Sequence, residues 1–160
     1  MRLEGLNIVF LGDSITEGSG TTGAEQRFAN RIAAQYGAIV HCDGISGTRI
    51  ARQQKPYPNP RCDRDFPSRV AELPPDADVV VVFGGTNDYG HGDAQFGCFA
   101  DRTVDTFCGA LHVLYSALLT KYPYAAIVVL TPLHRINEDI PNIHGRVLRE
   151  YVDMIRTGRE

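Results

Sequence analysis

Three short polar segments hold the residues best suited to chemistry. The first, Gly12-Asp13-Ser14-Ile15-Thr16, directly follows an apolar run. Ser14 therefore falls at the carboxyl end of an expected strand, the edge at which open α/β sheets bind ligands, and is a candidate nucleophile. A serine at such a junction also commonly satisfies turn or helix-cap hydrogen bonds, so Ser14 alone carries little. The second and third segments, Gly44-Ile45-Ser46-Gly47-Thr48 and Gly85-Thr86-Asn87-Asp88, also follow apolar runs. Acyl transfer needs donors aimed at a developing oxyanion, and the Gly47 backbone N–H and the Asn87 side-chain amide are donors of that kind.

The elements that must position these residues are legible from hydrophobic pattern. Leu6 to Leu11 is short, β-branched and ended by Gly12, as expected of a strand buried on both faces. Phe28, Ile32, Ala33 and Tyr36 recur at helical spacing, and Gly37 supplies a stop. Ala38 to Cys42 reads as a second strand, Val79 to Phe83 as a third and Ala125 to Leu130 as a fourth. Between the last two, residues from Val104 to Leu119 mark one face of a long helix, with Asp101 and Thr103 near its start; Val147 to Ile155 forms a closing helix. Alternating strands and helices imply right-handed crossovers, a parallel sheet covered on both faces and a three-layer α/β/α sandwich. Residues 51–65, with Pro56, Pro58 and Pro60, read as one long loop.

In this order, Gly-Asp-Ser-Ile-Thr, Gly-Ile-Ser-Gly-Thr and Gly-Thr-Asn-Asp resemble the first three sequence blocks of the SGNH (GDSL-type) esterase and lipase superfamily. The run Val82 to Gly92 and Thr131-Pro132-Leu133-His134-Arg135 are also similar to bacterial members. The resemblance implies a flavodoxin-like parallel sheet and a serine hydrolase cleaving acyl or acetyl esters through a Ser14 acyl-enzyme. It further implies an oxyanion hole made by the N–H groups of Ser14 and Gly47 with the Asn87 side chain. Asp13, His134 and Arg49 are possible substrate contacts, and the implied partner is a small-molecule or carbohydrate ester.

Members of that superfamily carry a catalytic histidine in a late Asp-x-x-His block after a fifth strand, and no such block lies before Glu160. The expectation is a single domain over residues 1–160 that is truncated at its C-terminus, with the last strand and helix missing and the Asp/His pair beyond them. Were Glu160 the natural end, a non-catalytic carbohydrate- or ester-binding domain would fit better, because a serine without a base is a poor nucleophile. Asp88-Tyr89-Gly90-His91 is itself an Asp-x-x-His, but it shares one short Gly-rich loop with Asn87, whereas the base should arrive from a separate element. Gly18-Ser19-Gly20-Thr21-Thr22-Gly23 imitates a dinucleotide fingerprint, yet six residues separate it from the first strand and the pyrophosphate turn must leave the strand at once.

Composition narrows the rest. The 160 residues are 43% hydrophobic and 22% charged, with a net charge of −3, which argues against a nucleic-acid partner. No run approaches the roughly 20 apolar residues of a membrane helix, and no secretory signal opens the chain, so the expected location is cytoplasmic. The four widely spaced cysteines indicate neither a metal site nor a disulfide scaffold, and no cofactor is implied. Arg49, Arg52, Arg61, Arg64 and Arg69 crowd the stretch after Gly47, where they could border the pocket and favour an anionic or polyhydroxylated substrate. Residues 88–97, rich in glycine, could form a mobile rim.

Overall fold

Residues 2–157 are described by the computed structural model. The first apolar run forms β1 (Asn7–Gly12), in which every residue from Ile8 onward is buried. A short α1 (Ser14–Glu17) follows, and α2 (Phe28–Tyr36) closes on the left-handed Gly37, as its periodicity predicts. The chain continues through β2 (Ile39–Gly44), α3 (Phe66–Arg69), β3 (Val79–Phe83), α4 (Thr86–His91), α5 (Phe107–Lys121), β4 (Ala126–Leu130) and α6 (Leu148–Thr157).

The four strands form one parallel sheet in the order β2-β1-β3-β4. Register aligns Gly44, Gly12, Phe83 and Leu130 in one row, so the chain leaves all four strands at the same edge. Side-chain alternation splits β1 between two cores: Val9 and Leu11 pack with α5 and α6, while Ile8 and Phe10 pack with Phe28, Ala29 and Ile32 of α2. These layers are the α/β/α sandwich of the sequence reading. No helix among the described residues is long and apolar enough to cross a membrane.

Three local expectations change. β4 is not buried on both faces: Val128 is 40% exposed, because its register partner Val81 faces the layer that holds only α2. The long helix starts at Phe107 rather than near Asp101, since Thr106 caps it by accepting from the Gly109 N–H and Asp101 is held outside by the Cys98 N–H and the Thr106 hydroxyl. The 51–65 loop is not wholly irregular, as Pro60–Asp63 makes a 3₁₀ turn capped by Asn59.

Candidate active site

Each of the three polar segments leaves a different strand at the same sheet edge, and specific bonds fasten them together. Asp13 caps α1, its carboxylate accepting from the Ile15 N–H at 2.9 Å. Ser14 is the first residue of that helix and is partly exposed, and an N–H in a first helical turn has no intrahelical acceptor. At the other end of α1, Glu17 accepts from the Ser46 N–H at 2.7 Å and from the Ser46 hydroxyl, and pairs with Arg61 at 2.8 Å. Glu17 thereby ties the turn after β2 to the turn after β1. Two glycines make the approach possible. Gly44 lies so close to α1 that a Cβ there would sit 2.1 Å from the Glu17 nitrogen, and Gly47 adopts φ +78° with a Cβ position 3.2 Å from Cys62 Sγ.

The third segment joins through α4. The buried Asn87 donates from Nδ2 to the Thr48 carbonyl at 2.9 Å, leaving its second amide hydrogen for another acceptor. Asp88 accepts from the Ile50 N–H at 3.0 Å and the Ala51 N–H at 2.9 Å, one on each oxygen. Burial pushes its pKa up to about 6 against these two donors. Asp13, 1% exposed, is likewise raised to about 6 by burial, opposed by the Ile15 N–H and the charge of Arg69.

Arg69 completes the framework from beneath. It is 1% exposed and donates to the Gly12 carbonyl at 3.1 Å, the Thr48 hydroxyl at 3.2 Å and Asp43, with which it forms an ion pair at 3.0 Å. One guanidinium thus spans the ends of β1 and β2. Glu17 did not stand out in the sequence, and Arg69 did so only as one of a crowd of arginines, because what marks both is long-range pairing, across 26 residues for Arg69 to Asp43 and 29 for Glu17 to Ser46.

The histidines fall into place differently. Asp88 and His91 do not form a dyad: both Asp88 oxygens face backbone N–H groups, and His91 Nδ1 receives Arg49 Nη2 at 3.1 Å. Arginine offers no lone pair, so Nδ1 is the acceptor and the ring hydrogen resides on Nε2, leaving neutral His91 no free lone pair. Desolvation, and after it the Arg49 charge, holds its pKa below the usual histidine value. His134 is 98% exposed, pairs with Glu138 at 2.9 Å and lines a cavity of about 430 Å³ with residues of α6 such as Arg149 and Asp153; none of Ser14, Gly47 or Asn87 lines it. His144 Nε2 lies 3.3 Å from the Gly92 carbonyl. Among the described residues no cluster of three or more His, Cys, Asp or Glu could hold a metal ion.

Arg49, expected on the rim, is 3% exposed, and its backbone carbonyl accepts from the Phe66 N–H. Residues 88–97 are less free than a glycine-rich rim would be. Asp88, Tyr89, Gly92 and Ala94 are buried, and Asp93 accepts from the Gln54 and Lys55 N–H groups.

The fold has counterparts among known structures. A protein from Lactobacillus plantarum is 28% identical, with a TM-score of 0.80 over 97% of this chain and 72% of that one. Axe2, an acetylxylan esterase from Geobacillus stearothermophilus, shares the fold at 21% identity, with a TM-score of 0.60 over 98% of this chain and 73% of that one. A family two carbohydrate esterase from Clostridium thermocellum, in complex with cellohexaose, does so at 23% identity and a TM-score of 0.57, over 95% of this chain and 50% of that one. No functionally curated protein matches the chain. The model of the GDSL-like Lipase/Acylhydrolase family matches residues 10–159. That span runs from the middle of β1 past the end of α6 and takes in all three polar turns, so the chain belongs to this family of ester hydrolases.

Proposed function

We propose that the protein cleaves acyl or acetyl esters of small or carbohydrate substrates, with Ser14 as the nucleophile. The Ser14 and Gly47 N–H groups and the free amide hydrogen of Asn87 receive the oxyanion of the tetrahedral intermediate. The observation that carries this reading is the fastening of the three turns at one sheet edge by the Glu17–Ser46 and Asn87–Thr48 bonds. Donors held this way need no reorganisation as charge develops, which is where most of their catalytic value lies. The carbohydrate part of the substrate assignment draws on the esterase structures that share the fold.

The test reads covalent capture together with turnover. A fluorophosphonate probe should label the protein at Ser14, as located by peptide mass spectrometry, and p-nitrophenyl acetate hydrolysis is assayed on the same sample. Ser14→Ala should abolish both; labelling that persists undiminished in the variant refutes the nucleophile assignment. One observation favours a second reading, binding without turnover: the histidine nearest Asn87 in the sequence has its Nδ1 occupied by Arg49. Absence of labelling together with retained binding of an ester would select that reading.

A further inference from the structure

Four of the five arginines between residues 49 and 69 have a carboxylate partner. Arg52 pairs with Asp65, Arg61 with Glu17, Arg64 with Glu72 and Arg69 with Asp43. Among the described residues Arg49 has none, although it is 3% exposed and lies two residues beyond Gly47. Its Nη2 reaches His91 Nδ1 at 3.1 Å and the His91 carbonyl at 3.5 Å, while buried Nε and Nη1 have no hydrogen-bond partner among those residues. Asp88 senses the charge, but its oxygens are taken by the Ile50 and Ala51 N–H groups.

A buried guanidinium with three unpaired N–H hydrogens and no hydrogen-bonded counterion is costly, and a singly charged acceptor removes that cost. Two of its neighbours are themselves exposed: the Tyr57 ring, on which the guanidinium lies at 5.0 Å and which is 45% exposed, and His91. Arg49 also orients the Nε2–H of His91, a neutral donor. Arg49 and His91 together carry one positive charge, adjoining the turn that holds Gly47 and Thr48; the Asp88 carboxylate feels that charge but spends its oxygens on the Ile50 and Ala51 N–H groups.

We propose that Arg49, together with the Nε2–H of His91, recognises a carboxylate carried on the ester substrate, which reaches the guanidinium by displacing the Tyr57 ring. The substrate class is then a half-ester of a dicarboxylic acid, or an ester whose alcohol part bears a carboxylate. This deepens the ester hydrolase reading and rests on it, because the anion site matters only where it adjoins the reacting ester.

The test measures binding to the Ser14→Ala protein, in which neither ester is turned over through Ser14, with monomethyl succinate as the probe and dimethyl succinate as its neutral counterpart. Titration followed by NMR should show the monoester binding at least about tenfold tighter, as expected for a charge-assisted pair. The Arg49 Nε–Hε resonance, assigned by its loss in Arg49→Met, should move on saturation. Folded Arg49→Met should lose the preference. Equal binding of the two esters, a preference that survives in the variant, or an unmoved resonance would each overturn the proposal. Where Arg49→Met does not fold, Arg49→Lys supplies the assignment and the Ser14→Ala titration with Arg49 in place decides.

Discussion

Replacing Arg69 with methionine tests whether one buried guanidinium holds the ends of β1 and β2 together. Methionine keeps most of the stem volume and removes the bonds to Gly12, Asp43 and Thr48. Removing one partner of a buried ion pair typically costs about 3–5 kcal/mol, because the other is left without compensation. Two features reduce that here: Asp43 is 26% exposed and can hydrate, and the Gly12 carbonyl keeps a second bond from the Ile45 N–H at 3.1 Å. The expected loss is therefore about 2–3 kcal/mol, read as a drop in the urea midpoint at pH 7 with unchanged slope. Arg61→Met, which breaks a pair whose arginine is 56% exposed, should cost under about 1 kcal/mol. Adding Asp43→Asn to Arg69→Met should recover part of the loss by removing the uncompensated charge. A loss for Arg69→Met no greater than that for Arg61→Met, or no recovery in the double variant, would refute the reasoning.

Further outcomes follow from the site. Asn87→Ala should slow fluorophosphonate labelling of Ser14 by about 10²–10³-fold, as expected for an oxyanion donor, and an unchanged rate would remove Asn87 from that role. Asp13 and Asp88, both raised from 3.8 to about 6, bind protons more tightly folded than unfolded. Each thus contributes stability that is fully present below pH 3.8 and is lost as pH rises through about 6, on the order of 3 kcal/mol apiece. Asp13→Asn keeps the cap and removes one titration, so the fall in urea midpoint between pH 4.5 and 7 should become about half as large; an unchanged fall would contradict the assignment. Gly44→Ala places a Cβ against α1 backbone and should leave no soluble folded protein, whereas Gly20→Ala, with open space and φ +85°, should cost only about 1 kcal/mol. Equal yields of the two variants would show that the close approach at Gly44 is not needed.

The sheet was readable because buried parallel strands announce themselves: Val79 to Phe83 begins and ends where its apolar run does. That the sheet is parallel followed from the α/β alternation, and the resemblance singled out Ser14, Gly47 and Asn87. What fastens those residues was not readable. Periodicity reports which face of an element is apolar, but it cannot say that Glu17 bonds Ser46 or that Arg69 lies beneath Gly12. The burial of Arg49 was hidden for a related reason. The sequence marks it as a possible substrate contact bordering the pocket, and only the packed loop reveals that it turns inward with no carboxylate partner among the described residues. The Asp-x-x-His pattern at Asp88 and His91 was likewise a coincidence of spacing, since both side chains are committed to other partners.

The two bonds accepted by Asp88 also set how the site's mobility is apportioned. Ile50 and Ala51 lie in irregular chain, where amides ordinarily exchange with solvent within local fluctuations. Here their N–H groups end on a carboxylate 37 and 38 residues away, buried in a helix that begins at the end of β3. Freeing them requires parting α4 from the turn after β2, an opening that also breaks the Asn87 bond to Thr48. Their deuterium uptake should therefore be as slow as that of β1. The loop would then belong to the cooperative core of the molecule, with its stiffness borrowed from the sheet.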